Sequence, residues 1–139
     1  MRELKIDRTE PAAPCFFVIQ LEGEFDLAER ERLIDAFAIV QSAPVVVVDL
    51  RKTTYIDSAV LQRLVALNEA THKRDAKLVV VGLHGAILRL FQITGLHQVF
   101  EIRDTLNDVA GLDGARARRL TIESRPITKI IAAAPSAVA

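Results

Sequence analysis

Apolar and polar residues alternate along Leu4-Lys-Ile-Asp-Arg8, the period of a strand with one wet face, and predict a first, edge strand. The prolines of Glu10-Pro-Ala-Ala-Pro14 break any ladder and predict a turn. From Cys15 to Glu22, Phe17, Ile19 and Leu21 share one face of a second strand. Two short strands around a proline-containing loop suggest an antiparallel pair. Gly23-Glu-Phe-Asp26 ends that strand. Leu27 to Gln41 then takes helical spacing, with Leu33, Ile34, Phe37 and Val40 inward and Glu29, Arg30, Glu31 and Arg32 outward. Asp26 stands where an N-cap belongs.

Ser42-Ala-Pro44 stops the helix, and Val45-Val-Val-Val-Asp-Leu50 follows as an almost unbroken β-branched run. Such a run suits a strand buried on both faces beside a parallel neighbour. The pattern then repeats. Residues 51–57 read as a loop and Ser58 to about Arg74 as a helix burying Val60, Leu61, Leu64, Val65 and Asn68. Lys77 to Leu83 reads as a strand, and Gly85 to Thr94 as a helix with Gly95 at its C′ position. Val99-Phe-Glu-Ile102 predicts a short last strand, after which Asp104 stands as the cap of a helix running to Ala110. Strands and helices alternating at these intervals give an α/β fold: a small mixed sheet of about four to five strands, flanked by helices.

Half of the 139 residues are apolar and 26% are charged, the balance of a packed domain rather than a disordered chain. The formal net charge of zero offers no general attraction to nucleic acid or to an anionic membrane. No apolar run approaches the ~20 residues that span a bilayer, and the charged N-terminus is no signal peptide. The single cysteine, Cys15, excludes an internal disulfide. A cytoplasmic protein with no membrane insertion and no direct nucleic-acid partner is expected. Charge is nevertheless uneven: residues 1–110 hold 13 Lys/Arg against 16 Asp/Glu, and residues 111–139 hold 5 against 2. The change falls at Gly111-Leu-Asp-Gly114. It predicts a folded domain over 1–110 and a flexible basic tail over 111–139, although Thr121-Ile-Glu-Ser124 and Ile127-Thr-Lys-Ile-Ile131 have strand-like character.

Enzymatic motifs are missing. The chain has no G-x-x-x-x-G-K-[ST] phosphate loop, no G-x-G-x-x-G after a strand and no G-x-S-x-G around Ser58. His72, His84 and His97 lie far apart, none with a second ligand at metal spacing. Asp49 and Asp57 are the one imaginable carboxylate pair, without neighbours to orient a substrate. No catalytic residue, metal or cofactor is expected.

Polar residues converge only beyond the carboxyl ends of the expected parallel strands, where α/β sheets gather function. Asp26, Asp49 and the segment Lys52-Thr-Thr-Tyr-Ile-Asp57 before Ser58 all belong to that edge. Ser58 has a plain reading as the N-cap of its helix, stabilising it by about 1 kcal/mol. It also has a functional one. A phosphate there would add a charge of about −1.5 to −2 beside unpaired helix N–H groups, which the fold accommodates and a partner matched to a neutral hydroxyl does not.

Leu21-Glu-Gly-Glu-Phe-Asp26, Val45-Val-Val-Val-Asp-Leu50, Ile56-Asp57-Ser58, Leu78-Val-Val-Val-Gly82 and Ile93-Thr-Gly-Leu96 with Val99-Phe100, in this order and spacing, resemble STAS domains of the anti-sigma-factor-antagonist type. The likeness runs from about residue 4 to residue 110. It implies a small sheet flanked by helices and a non-enzymatic regulator of transcription that works by partner switching. In that family the serine after Asp is phosphorylated by a kinase that is also the anti-sigma factor. The unphosphorylated form binds the kinase, the phosphorylated form releases it, and a phosphatase resets the cycle. Carried across, Ser58 is the phosphoacceptor, and Asp26, Asp57, Ser58, Ala59 and Val60 form the docking surface. The family usually places a small hydroxyl residue and a glycine after Asp-Ser, where this chain has Ala59 and Val60. Two alternatives stay open: a scaffold or transporter-associated STAS subunit that never cycles phosphate, and a sensor of a nucleotide or small ligand.

Overall fold

A computed structural model of the chain describes residues 15–40, 43–109 and 116–124. The strand expected at Leu4–Arg8, the turn at 10–14, the stretch Ile127–Ile131 and the side chain of Cys15 lie outside the described residues. Six strands form one sheet: β1 (Cys15–Phe25), β2 (Val45–Asp49), β3 (Thr53–Ile56), β4 (Lys77–Val81), β5 (Glu101–Arg103) and β6 (Arg116–Glu123). The helices are α1 (Arg30–Ile39), α2 (Ser58–Lys73) and α3 (Gly85–Thr94). Every strand pairing among the described residues is parallel. The antiparallel pair that would make the sheet mixed rests on Leu4–Arg8.

The β-branched runs form the middle of the sheet. Val47 pairs with Val18 of β1 on one side and with Val79 of β4 on the other. Alternate residues feed two cores. Ile19, Leu21, Val46, Val48, Leu78 and Val80 pack with Leu33, Phe37, Leu64, Ile87 and Phe91 of the helices. Phe16, Val18, Val47, Val79 and Val81 form a second cluster with Val109. A strand buried on both faces has no polar period, hence the continuous valines.

Several local expectations change. Leu27–Glu29 is a 3-10 turn leading into α1, and Glu29 is buried rather than wet, its Oε1 accepting from Arg32 at 2.6 Å. Thr53–Ile56, expected within a loop, is a strand because Gly23–Phe25 of β1 offers it a ladder, with a register shift between Gly23 and Glu24. The strand expected at Val99–Ile102 is Glu101–Arg103, and Val99 is half-exposed at the end of a 3-10 turn. The expected helix capped by Asp104 is a 3-10 turn, Leu106–Asp108, closed by a reciprocal Thr105–Asp108 capping box.

The C-terminal stretch changes most. Arg116–Glu123 is a full strand, paired residue by residue with Cys15–Glu22. Reading 111–139 as a flexible basic tail therefore does not hold for these eight residues. Ile122 is buried in the main core and Leu120 packs against it. Where β1 lies between β6 and β2, the order across the sheet is β6-β1-β2-β4-β5. Ser124 ends β6 by donating its N–H to Glu22 O (2.9 Å) and accepting from Glu24 N–H (2.9 Å). Gly23, at φ 108°, lies under it, and a Cβ there would overlap Ser124 Oγ.

Candidate functional site

The last pair of the β1–β3 ladder is Phe25↔Ile56. The residues that follow, Asp26 and Asp57, therefore leave neighbouring strands side by side, and each starts a helical segment. Asp26 Oδ1 accepts from Ala28 N–H at 2.9 Å, as expected for an N-cap. Asp57 donates its own N–H to Phe25 O at 3.1 Å, which ties the start of α2 to the end of β1.

The cap of α2 is Asp57, not Ser58. Asp57 Oδ1 accepts from Val60 N–H at 3.0 Å, and Leu61 N–H closes the first helical turn on Asp57 O, also at 3.0 Å. Ser58 is the first helical residue, its side chain exposed and outside the cap. The N–H groups of Ser58 and Ala59 have no partner among the described residues. They are the donors a helix leaves open at its start, at the positive end of its dipole. Asp57 is half-buried, as are Asp26 and Ala59. Val60 is 0% exposed and faces the core, so its side chain offers no docking surface, and the first turn of α2 is not crowded by it.

Beside Ser58 an open groove of about 500 Å³ runs between the start of α2 and the helix α3. Thr54, Tyr55, Asp57 and Ser58 form one wall, and Leu61, Ile87, Leu90 and Thr94 line it further along. Tyr55 and Ile93 stand out from the surface nearby in sequence, 50% and 76% exposed. Sequence reasoning missed the contribution of α3. Ile87, Leu90 and Thr94 recur at i, i+3 and i+7, a spacing that on its own predicts a face turned to the core. Only Ile87 is fully buried; Leu90 is half-buried and Thr94 exposed, its hydroxyl satisfied by Leu90 O at 2.7 Å.

Asp49 does not join this site. Its carboxylate is 0% exposed and receives Arg51 Nε (3.0 and 3.1 Å), an Arg51 terminal nitrogen (2.7 Å) and Arg51 N–H (3.0 Å). These hydrogen bonds, and then the charge of Asp49, raise the basicity of Arg51 above its ordinary value against a small opposing effect of burial. Arg51 lies against Gly82, where φ is 80° and any Cβ would overlap Arg51 Cγ. Asp49 thus fixes the β2–β3 corner, and no Asp49–Asp57 carboxylate pair forms in the groove. His72, His84 and His97 are each exposed. Among the described residues no group of three or more His, Cys, Asp or Glu is arranged to hold a metal ion, and no helix is long and apolar enough to cross a membrane.

A parallel sheet of this order, with helices starting at its carboxyl edge beside a half-buried Asp57 and an exposed Ser58, is the arrangement of a STAS domain. The chain belongs to that family: the family model described as "Mlab, STAS domain" matches residues 12–106. It is 30% identical over 95 residues to the anti-sigma-B factor antagonist of Listeria monocytogenes, covering 67% of this chain and 83% of the relative. It is 31% identical over 85 residues to a STAS-domain containing protein of Pseudomonas aeruginosa, covering 60% and 84%. Among solved structures the fold resembles the Bacillus cell fate determinant SpoIIAA in its phosphorylated form, with a TM-score of 0.55 and 16% identity over 67% of this chain and 85% of that one. It also resembles a sulfate transporter family protein from Wolinella succinogenes, with a TM-score of 0.59 and 17% identity over 66% and 79%. The fold is therefore common to a cell fate determinant and a sulfate transporter family protein and does not choose between their roles.

Proposed function

We propose that this chain is an anti-sigma factor antagonist, a non-enzymatic cytoplasmic regulator that docks an anti-sigma serine kinase when Ser58 bears a hydroxyl and releases it when Ser58 bears a phosphate. The observation that carries this reading is the division of labour at the start of α2. Asp57 makes the cap, so the Ser58 hydroxyl is exposed and has no structural task. The open N–H groups of Ser58 and Ala59 can receive a phosphoryl oxygen. The Asp57 carboxylate is already engaged with Val60 N–H, which orients it without cancelling its repulsion of a phosphate. The likeness to the Listeria antagonist supports the choice of partner class. In this reading Asp26, Asp57, Ser58 and Ala59 supply the polar contacts, and the groove along Leu61 and Leu90 takes an apolar side chain of the kinase. A phosphatase would restore the hydroxyl.

The resemblance to a sulfate transporter family protein favours a second reading, a STAS subunit that never cycles phosphate. Incubating the protein and Ser58→Ala with a purified anti-sigma kinase and ATP, followed by intact mass, separates the two. One phosphate on the wild type and none on Ser58→Ala is the expected result. A kinase proven active on another antagonist that leaves this protein unmodified sinks the switch and leaves the scaffold.

A further inference from the structure

We propose that the outer edge of β6 is a docking strip for an acidic, extended segment of a partner protein, which adds to the sheet as a further strand. The family match ends at residue 106, so β6 lies outside what the family model describes. Among the described residues β6 is paired on one side only, along all eight residues to β1. The Ser124 N–H to Glu22 O bond sets the phase of that ladder. Residues of even number turn their main-chain groups toward β1, and Ala117, Arg119, Thr121 and Glu123 turn theirs outward. Among the described residues these outward N–H and C=O groups have no strand partner, and an unpaired strand edge is a template for strand addition.

Charge decides which strand fits. Arg118 and Arg119 are consecutive, so they stand on opposite faces of the sheet, and both are exposed. The Arg118 guanidinium carbon lies 5.9 Å from the centroid of the Phe17 ring, a cation–π contact that places the exposed side chain over the sheet. Antiparallel pairing with a second β6 about a two-fold axis sets the two copies' arginines against or beside one another, and like charges across strands repel. Self-association through this edge is therefore disfavoured. A segment with two adjacent carboxylates, one for each face, meets both arginines while its backbone continues the ladder.

The test uses the full chain and two labelled peptides of about ten residues, built of valine and threonine around a central Glu-Glu or Lys-Lys pair. Fluorescence polarisation should show the Glu-Glu peptide binding at least ~10-fold more tightly than the Lys-Lys peptide. Thr121→Pro removes an outward N–H and leaves the ladder to β1 intact. It should weaken Glu-Glu binding by ~10-fold while the far-ultraviolet spectrum is kept. Arg118→Glu with Arg119→Glu should reverse the preference between the peptides, which keeps the test decisive if Thr121→Pro fails to fold. Equal binding of the two peptides, or none, would mean that the arginines only keep the edge unpaired. Undiminished binding to folded Thr121→Pro would mean that charge acts off the strand. Any of these results overturns the proposal.

Discussion

The assignment of the helix cap to Asp57 can be tested against Ser58 by a pair of substitutions that differ by one position. Asp57→Ala removes the acceptor 3.0 Å from Val60 N–H and leaves that donor, on a residue with no exposure, without its partner. Loss of a cap costs ~0.5–2 kcal/mol, and a buried orphan donor puts this case in the upper half of the range, at about 1–2 kcal/mol. For a domain of this size that lowers Tm by roughly 3–8 °C. Ser58→Ala removes an exposed hydroxyl with no role in the cap, and stability should stay within about 0.5 kcal/mol. Asp57→Asn keeps the acceptor and should recover most of the loss, short of the ~0.3–1 kcal/mol that a carboxylate gains from the helix dipole. Equilibrium urea unfolding followed by circular dichroism measures all three, and an unchanged m-value checks that the midpoints report stability alone. If Ser58→Ala costs as much as Asp57→Ala, the hydroxyl is committed to the fold. The reasoning that frees it for chemistry is then refuted.

Three further variants test the packing at the start of α2 and at the β2–β3 corner. Val60→Gly, which installs the residue the family usually carries, should cost about 2–4 kcal/mol through the emptied core volume and the lower helix propensity of glycine. A midpoint unchanged in urea would show that Val60 is not packed as described. Arg51→Ala should cost about 2–3 kcal/mol by leaving the buried Asp49 carboxylate without its guanidinium, less than the ~3–5 of a wholly buried pair because water enters where half-exposed Arg51 stood. Lys52→Ala, whose ion pair with Glu22 is long (3.8 Å) and exposed, should move stability by no more than ~0.5 kcal/mol, and comparable losses for the two variants would contradict this account.

Elements that bury their own apolar pattern are legible from the chain alone. The valine runs of β2 and β4, the buried face of α2 and the stop at Gly95 depend on local residues, and the structure has them where the pattern puts them. Elements that exist because of a distant partner are not. Thr53–Ile56 is short and polar, and becomes a strand only on the bent end of β1. Arg116–Glu123 carries three arginines and looks like a solvated tail; the edge of β1 and the burial of Ile122 make it a strand. Asp26 and Asp57 are side by side because β1 and β3 end together, and the sequence, which reads 51–57 as a loop, places both residues only at the same sheet edge. The fine division of the site was not legible. Asp57 and Ser58 are both good N-caps, and which one serves depends on where the β1–β3 ladder stops. Val60 is inward by the period of α2 and on the docking surface only by the family resemblance, and the structure follows the period.

The pairing of β1 with β6 also sets the order in which the molecule is completed. Cys15 and Arg116, partners in the ladder, are 101 positions apart, since 116 − 15 = 101. At ~5–20 residues per second, synthesis of the chain leaves β1 waiting about 5–20 s for the strand that covers its second edge. By the end of that interval every strand but β6 has been made, and the closing pair carries the largest sequence separation and loop-closure cost of the strand pairings. A nascent chain thus passes through a stage with β1 uncovered on one side, the stage at which a stray strand from another chain would do the most damage.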